Sequence, residues 1–157
     1  MAPWSDPATQ AYSRLLADSF ARTTGRPLAP AAPADAAGLA RALFDLPQPL
    51  VSHGTGADPV FRYGNAAALA LWELDWPAFT RLPSRRSAEA DPAIQADRSR
   101  LLAAALARGA VTDYEGIRIS STGRRFRIAQ TVLWTVTDPA GQVQGQAALI
   151  GRVTPLG

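Results

Sequence analysis

The chain has 157 residues, of which 47% are hydrophobic, and this suits one small domain with a short extension. The pI is about 10.2 although the net charge is only +3. All 16 basic residues are arginine and few groups titrate between pH 7 and 10, so this small positive charge persists to high pH. The absence of cysteine excludes disulfides, thiolate nucleophiles, iron–sulfur clusters and flavin–cysteine adducts.

The first fifty residues predict two helices. Asp6 followed by Pro7 is typical of a helix start, and apolar residues then recur at helical spacing. A proline-rich tether follows over residues 26–33, and a second helix begins at Asp35. The N-terminus lacks the pattern of a signal peptide and no apolar run could span a bilayer, so we expect a cytoplasmic protein with no membrane partner.

The middle of the chain changes from helical to strand-like periodicity. Two short strand-like runs, at residues 50–53 and 60–63, flank a turn-rich segment and predict a hairpin. Asn65 is a suitable N-cap for the helix that follows. After a loop-rich stretch, Asp91 begins a longer helix that ends at Gly109. Its apolar residues include Ile94, Leu101, Leu102, Ala105 and Leu106.

The last third predicts three consecutive antiparallel strands, at residues 112–120, 125–137 and 142–153, because only short turns separate them. Strict alternation in the middle strand would place one mostly apolar set on a single face. That set is Phe126, Ile128, Gln130, Val132, Trp134 and Val136. The opposite face begins with Arg125 and Arg127 and becomes mixed, and the N-terminal helices could cover its far end.

The order of strand, strand, helix, short helices, helix and three strands resembles that of a PAS domain. The segment 61–69 resembles the PAS junction between an aromatic strand residue and a capped helix, and the turn at residues 138–141 resembles its last hairpin. Four motifs in order resemble the MEKHLA family, a PAS-like family with bacterial stand-alone members, over about residues 39–152. These motifs are Ser52-His53-Gly54-Thr55, Asp58-Pro59 running into Tyr63-Gly64-Asn65, Leu82-Pro83-Ser84-Arg85, and the segment 118–126.

The resemblance implies an α+β fold with a five-stranded antiparallel sheet and helices packed on one face. We therefore predict a helical extension with a Pro-rich tether over residues 1–49 and a PAS-like MEKHLA domain over residues 50–157. The resemblance leaves the ligand open. It implies a sensory or regulatory module that binds a small organic ligand or a protein partner.

Several side chains are candidates for contacting such a ligand. His53, the only histidine, could be a pocket hydrogen-bonding group or an axial haem ligand, or it could fix the exit of its strand. Gln130 would be a buried amide that needs partners, from a ligand or from backbone and water. Arg85 belongs to a group of arginines that could clamp an oxyanion or form a solvated surface, as do Arg118, Arg124, Arg125 and Arg127. The aromatic side chains could line a pocket or fill the core. The candidate ligand-binding set is His53, Tyr63, Asn65, Trp72, Phe79, Arg85, Phe126, Ile128 and Gln130.

Known PAS cofactors are disfavoured. One histidine without cysteine cannot build a zinc or iron–sulfur site. Haem PAS domains usually take their axial histidine from the helical segment, so the resemblance would place His53 wrongly. A flavin adduct requires a cysteine, and the light-sensing branch has a glutamine where Ala147 follows Gly145 here.

The sequence contains no nucleophile triad, paired carboxylates or phosphate loop, so we expect no catalysis. One alternative is a dimerisation or interaction module whose core is filled by its own side chains. Another is a small cone-shaped α+β enzyme in which His53 works with Asp113 or Glu115. Nucleic-acid binding is disfavoured, because the high pI reflects missing titratable groups.

Overall fold

A computed structural model describes residues 2–157, in which one six-stranded antiparallel sheet carries five α-helices on its two faces. The side chains of Ala105 and Leu106 lie outside the described part of the structure. The helices are α1 (Pro7–Thr24), α2 (Ala36–Phe44), α3 (Ala66–Trp72), α4 (Trp76–Phe79) and α5 (Pro92–Arg108). The strands are β1 (Leu50–His53), β2 (Phe61–Gly64), β3 (Ala110–Ile119), β4 (Arg125–Thr137), β5 (Val143–Leu149) and β6 (Arg152–Pro155). No described helix is both long and apolar enough to cross a bilayer.

The strands lie in the order β2-β1-β5-β4-β3, and β6 pairs with the free part of the β4 edge that β5 leaves. The predicted hairpin of β1 and β2 and the three closing strands are confirmed. The fold is therefore α+β with the PAS-like sheet that the sequence predicts. The predicted single strand over residues 142–153 is instead two strands, since β5 ends before Ile150 and β6 begins after Gly151.

The sheet buries side chains on both faces. The front face, which α3 and α5 cover, carries Val51, Phe61, Ile128, Leu133 and Ile150. The rear face, which α1 and α2 cover, carries Leu50, Tyr63, Val132, Trp134 and Val136. The helices that follow β2 thus pack on one face, as predicted, and the N-terminal helices cover the other.

At Gln130, the alternation of β4 side chains between the two faces of the sheet is interrupted, so the predicted strict alternation is wrong there. Gln130 has a φ of +50°, and the register with β3 gains one residue on β4 between Ile128 and Thr131. Such a β-bulge inverts which residues point to each face. Ile128 and, after the bulge, Leu133 therefore lie on the front face, whereas Val132, Trp134 and Val136 lie on the rear face.

The neighbouring strand accommodates the bulge through Gly151. A Cβ atom at this position would lie 2.5 Å from the Gln130 carbonyl oxygen, so the backbones approach too closely for a larger residue. This contact lies where β5 gives way to β6.

The first helix is attached to the rear face by polar and aromatic contacts. The Tyr12 hydroxyl and the Ser52 hydroxyl are 2.7 Å apart, and the Trp134 indole donates to Ser19 Oγ at 3.1 Å. Phe20 meets Trp134 edge to face with 4.9 Å between ring centroids. Because the extension shares a core with the sheet, the division at residues 49 and 50 stays a prediction from the sequence.

Asn65 joins three elements at the end of β2. Its side-chain oxygen accepts from the Leu50 and Ala68 amides at 2.9 and 3.0 Å, and the second of these bonds caps α3 as predicted. Its side-chain nitrogen donates to the carbonyls of Leu43 and Gln48 at 3.2 and 2.9 Å. The side chain is fully buried, so Asn65 connects α2, β1 and α3.

Candidate functional site

An inner cavity of about 50 Å³ lies between α5 and the front face of the sheet. Its walls are mainly apolar and include Phe61, Trp72, Ile128 and Leu133. The longer polar side chains that line it are His53, Arg98, Tyr114, Arg118 and Gln146. A mostly apolar enclosure with a few convergent polar groups is typical of a small-molecule site.

An outer cleft of about 470 Å³ adjoins the inner cavity, between the β1–β2 turn and α5. Both spaces are lined by His53, Arg98, Leu102 and Gln146, which therefore form the boundary between them. The Gln146 side chain donates to the Leu102 carbonyl at 2.7 Å and so connects β5 to α5 across this boundary. A molecule in the outer cleft would reach the inner cavity at these four residues.

Two buried arginines meet at the inner cavity. Arg98 on α5 is 9% exposed and donates from Nη2 to Ser84 Oγ at 2.7 Å. Arg118 on β3 is 7% exposed and donates to the Tyr114 hydroxyl and to the Ile117 carbonyl, each at 2.8 Å. No ion pair among the described residues includes either guanidinium. Burial and, secondarily, the charge of Arg118 lower the pKa of Arg98 to about 10.

His53 lies between the inner cavity and the outer cleft. Its Nδ1 is 2.8 Å from the Gly54 carbonyl oxygen, which can only accept, so Nδ1 carries the proton. Its Nε2 is buried and has no hydrogen-bond partner in the described part of the chain. Burial, and less strongly the charge of Arg98, lower the pKa of His53, so the ring is neutral near pH 7. Neutral His53 therefore presents Nε2 as an unused acceptor.

Three of the sequence candidates line the inner cavity: His53, Trp72 and Ile128. Phe79 and Phe126 lie behind this lining. Phe126 meets Trp72 edge to face at 5.3 Å, and Phe79 stacks on Phe61 at 4.4 Å between ring centroids. These two rings therefore support the wall of the inner cavity. Ligand contact by His53, Trp72 and Ile128 stays a prediction.

Other candidates lie elsewhere. Tyr63 is on the rear face, where burial raises the pKa of its hydroxyl, and that hydroxyl has no partner among the described residues. Asn65 uses its side chain in the backbone contacts described above. Arg85 lines the outer cleft and pairs with Asp58 at 3.0 Å. The expectation that Gln130 is a buried pocket amide is wrong, because the bulge leaves its side chain exposed.

The sequence interpretation missed Arg98 and placed Arg118 in a group of arginines that could clamp an oxyanion or form a solvated surface. Arg124, Arg125 and Arg127 are indeed exposed, but Arg118 is buried. A signal for Arg98 exists, since it stands four residues after Ile94 and four before Leu102, on one helical face. A signal for Arg118 also exists, because alternation places it on the face of Tyr114.

The enzyme alternative required His53 to share a cavity with Asp113 or Glu115. Both carboxylates are exposed on β3, and neither lines a described cavity together with His53. The described residues also include no group of three or more histidine, aspartate or glutamate side chains that could hold a metal ion. The proposed catalytic pair is therefore not assembled in this structure.

The volume of the inner cavity indicates whether a flavin could bind there. Sites for drug-sized molecules and cofactors usually have volumes of about 300–1,000 Å³. The inner cavity, at about 50 Å³, is far below that range, and Trp72 and Phe61 occupy its apolar wall. A three-ring flavin does not fit this space as it stands, so the cavity suits a more compact group.

The sheet order, the helices on the front face and the cavity between them define a PAS-like domain. An RNA-binding light-oxygen-voltage receptor has a similar structure, with a TM-score of 0.64 and 23% identity over 81% of this chain. This chain spans 36% of the length of that receptor. A PAS domain from Colwellia psychrerythraea has a TM-score of 0.60 and 13% identity over 74% of this chain and 92% of its own. A light-oxygen-voltage domain studied with a flavin analogue has a TM-score of 0.56 and 18% identity, over 76% of this chain and 84% of its own.

The chain belongs to the MEKHLA domain family, whose sequence model matches residues 10–154. The match includes α1 from residue 10 onward and the whole of α2, and it begins earlier than the resemblance found in the sequence. A comparison with curated protein sequences finds no significant match. At these identities the solved structures establish the fold alone.

Proposed function

We propose that this chain is a sensory PAS-like domain that binds a small organic ligand in the inner cavity. The observation that carries the proposal is the inner cavity itself, which joins an outer cleft at His53, Arg98, Leu102 and Gln146. Cavity and cleft together offer a protected site and a route of entry. Membership of the MEKHLA family and the PAS-like fold support a role in sensing.

The chain is proposed to act without catalysis. The polar side chains at the cavity are two arginines, one neutral histidine, one tyrosine, one amide and two serines, which suit binding. Both serine hydroxyls donate to backbone carbonyls, Ser52 to Gln146 and Ser87 to Ser84. No aspartate or glutamate among the described residues lines the inner cavity, so no acidic side chain stands beside His53 for acid–base chemistry. The His53 ring makes its one hydrogen bond in the described part of the chain to the Gly54 carbonyl.

Ligand binding would reach the N-terminal helices through the sheet. His53 adjoins Ser52, whose hydroxyl contacts both Tyr12 on α1 and the Gln146 carbonyl at 2.7 Å. Gln146 also lines the inner cavity, which lies on the front face of the sheet, opposite α1. The exposed surface of α1 is therefore the proposed place where a partner protein would respond to the ligand.

The proposal is tested by native mass spectrometry of freshly purified protein, together with a thermal-shift screen of small metabolites. We expect a bound species in at least one experiment. Ala148 lines the cavity, so Ala148→Leu should fill it and weaken binding at least tenfold, whereas Ala140→Leu on an exposed turn should not. If the wild-type protein binds nothing in either experiment, the proposal fails and the dimerisation module with a self-filled core replaces it.

A further inference from the structure

We infer that the ligand is a compact organic acid whose carboxylate binds between Arg98 and Arg118. This inference rests on the proposed function of the inner cavity and adds the chemical class of the ligand.

The two arginines place unpaired positive charge in the inner cavity. Arg98 and Arg118 are both at least nine-tenths buried, and both line the inner cavity. Burial and, secondarily, the charge of Arg118 lower the pKa of Arg98. Buried charges in proteins are normally paired, because an unpaired one loses hydration without compensation. No carboxylate in the described part of the chain forms an ion pair with either arginine. An anion bound in the cavity would supply the missing partner.

Both guanidinium groups have hydrogen-bond donors to spare. A guanidinium carries five N–H donors, and the structure records one protein partner for Arg98 and two for Arg118. Both groups are held in place, Arg98 by Ser84 and Arg118 by Tyr114. Donors therefore remain for a planar carboxylate, which arginine binds through two parallel bonds.

The two arginines lie on different elements of the fold. Arg98 belongs to α5 and Arg118 to β3, so an anion between them would join the helix to the sheet. A hydrogen bond from the Gln146 side chain to the Leu102 carbonyl also joins the sheet to α5. Binding would thus tighten the packing of α5, which is the kind of change a sensor can transmit.

The volume and apolar lining of the inner cavity limit the part of the ligand beyond its carboxylate. The cavity holds about 50 Å³, and Trp72, Ile128 and Leu133 line its apolar side. This environment favours a short hydrocarbon or a single ring beside the carboxylate and disfavours a molecule with several charges. A longer substituent would extend past His53 into the outer cleft.

The test compares acids with amides that have the same carbon skeleton. Butyrate, hexanoate and benzoate are titrated against butyramide, hexanamide and benzamide, with inorganic phosphate and phenyl phosphate as further anions. Binding is measured by thermal shift and isothermal titration calorimetry. At least one acid should raise the melting temperature, and its amide should bind at least tenfold more weakly.

Variants locate the site. Arg98→Met and Arg118→Met should each weaken acid binding at least tenfold, while Arg108→Met, which removes an exposed arginine from the same helix, should leave it unchanged. Every shift is measured from the melting temperature of the same variant, and near-ultraviolet circular dichroism verifies its packing. Arg98→Gln and Arg118→Gln replace any methionine variant that does not fold.

Three results would overturn the inference. These are equal binding of acids and amides, unchanged acid binding by the Arg98 and Arg118 variants, and binding of phosphates without binding of carboxylates. Each would leave the proposed function standing if native mass spectrometry finds a bound neutral or phosphorylated molecule. Absence of any bound molecule would instead end the proposed function itself.

Discussion

Replacement of Arg98 by methionine tests whether this arginine serves to bind a ligand or to stabilise the fold. The fall in the pKa of Arg98 to about 10 corresponds to roughly 3 kcal/mol by which the fold disfavours the charged side chain. The same substitution removes the bond to Ser84 Oγ, and bonds to charged groups contribute about 1.5–3 kcal/mol. Methionine retains most of the apolar length of the arginine stem.

The two effects oppose each other, so the substitution should leave the free energy of unfolding unchanged or raise it by about 1 kcal/mol. The measurement is urea denaturation of the ligand-free protein, followed by fluorescence and circular dichroism. The exposed Arg108→Met serves as the control, and its effect should stay within about 0.5 kcal/mol.

A loss of more than about 3 kcal/mol in Arg98→Met would refute this reasoning, since losses of that size follow when a buried interaction network is broken. Arg98 would then hold the fold together, and its burial would say nothing about a ligand. An unchanged or higher stability combined with lost acid binding would identify Arg98 as a binding residue.

Four further predictions concern the rest of the fold. Asn65→Ala should lower the free energy of unfolding by at least about 3 kcal/mol in urea denaturation, since it removes a cap and leaves buried backbone groups unpaired, whereas the exposed cap variant Asp75→Ala should lower it by about 1 kcal/mol. Gly145→Ala should lower the melting temperature markedly, because its Cβ would lie 2.0 Å from the His53 carbonyl oxygen; an unchanged value would contradict the close pairing of β1 and β5. Burial lowers the pKa of His53 below its ordinary 6.5, so the unfolded chain binds a proton first, and the free energy of unfolding falls as pH drops from about 6.5 through the lowered pKa. His53→Gln should reduce the dependence of stability on pH between about 7.5 and 5.5, and an unaltered dependence would contradict the burial. Deletion of residues 1–49 should leave the rear face uncovered and the fragment aggregated or unfolded in size-exclusion chromatography, and a monomeric folded fragment would support an independent domain boundary.

Local signals predicted most of the fold. Asp6, Asp35 and Asn65 each cap the helix that the sequence assigned to them, because a short polar side chain before a helix satisfies its free amides. The short turns of the last third predicted antiparallel neighbours for the same local reason. These signals depend on a few adjacent residues, so they are legible without tertiary contacts.

The division of β4 between two faces was not predictable from alternation. A non-glycine residue with positive φ, such as Gln130, has no strong signature in the sequence, and one such residue inverts all later positions. The cover of the rear face by α1 and α2 was anticipated only in outline. Its contacts, such as Trp134 with Ser19, join residues far apart in the chain.

The candidate site was predicted in part. His53, Trp72 and Ile128 were identified and do line the inner cavity. Arg98 and Arg118 were not singled out, because burial of a charged residue is rare and their spacing with apolar neighbours is a weak signal until the helix and the sheet are placed together. Of the arginines considered for a solvated surface, Arg118 thus lines the inner cavity.

The central claim is that this MEKHLA domain binds an organic acid between Arg98 and Arg118. The most direct measurement is a titration, followed by nuclear magnetic resonance, of the arginine Nε–Hε signals with the acid that binds best. The account predicts saturable shifts of the Arg98 and Arg118 signals, with that of exposed Arg108 unchanged. Shifts confined to exposed arginines, or no saturable shift with any acid, would contradict it.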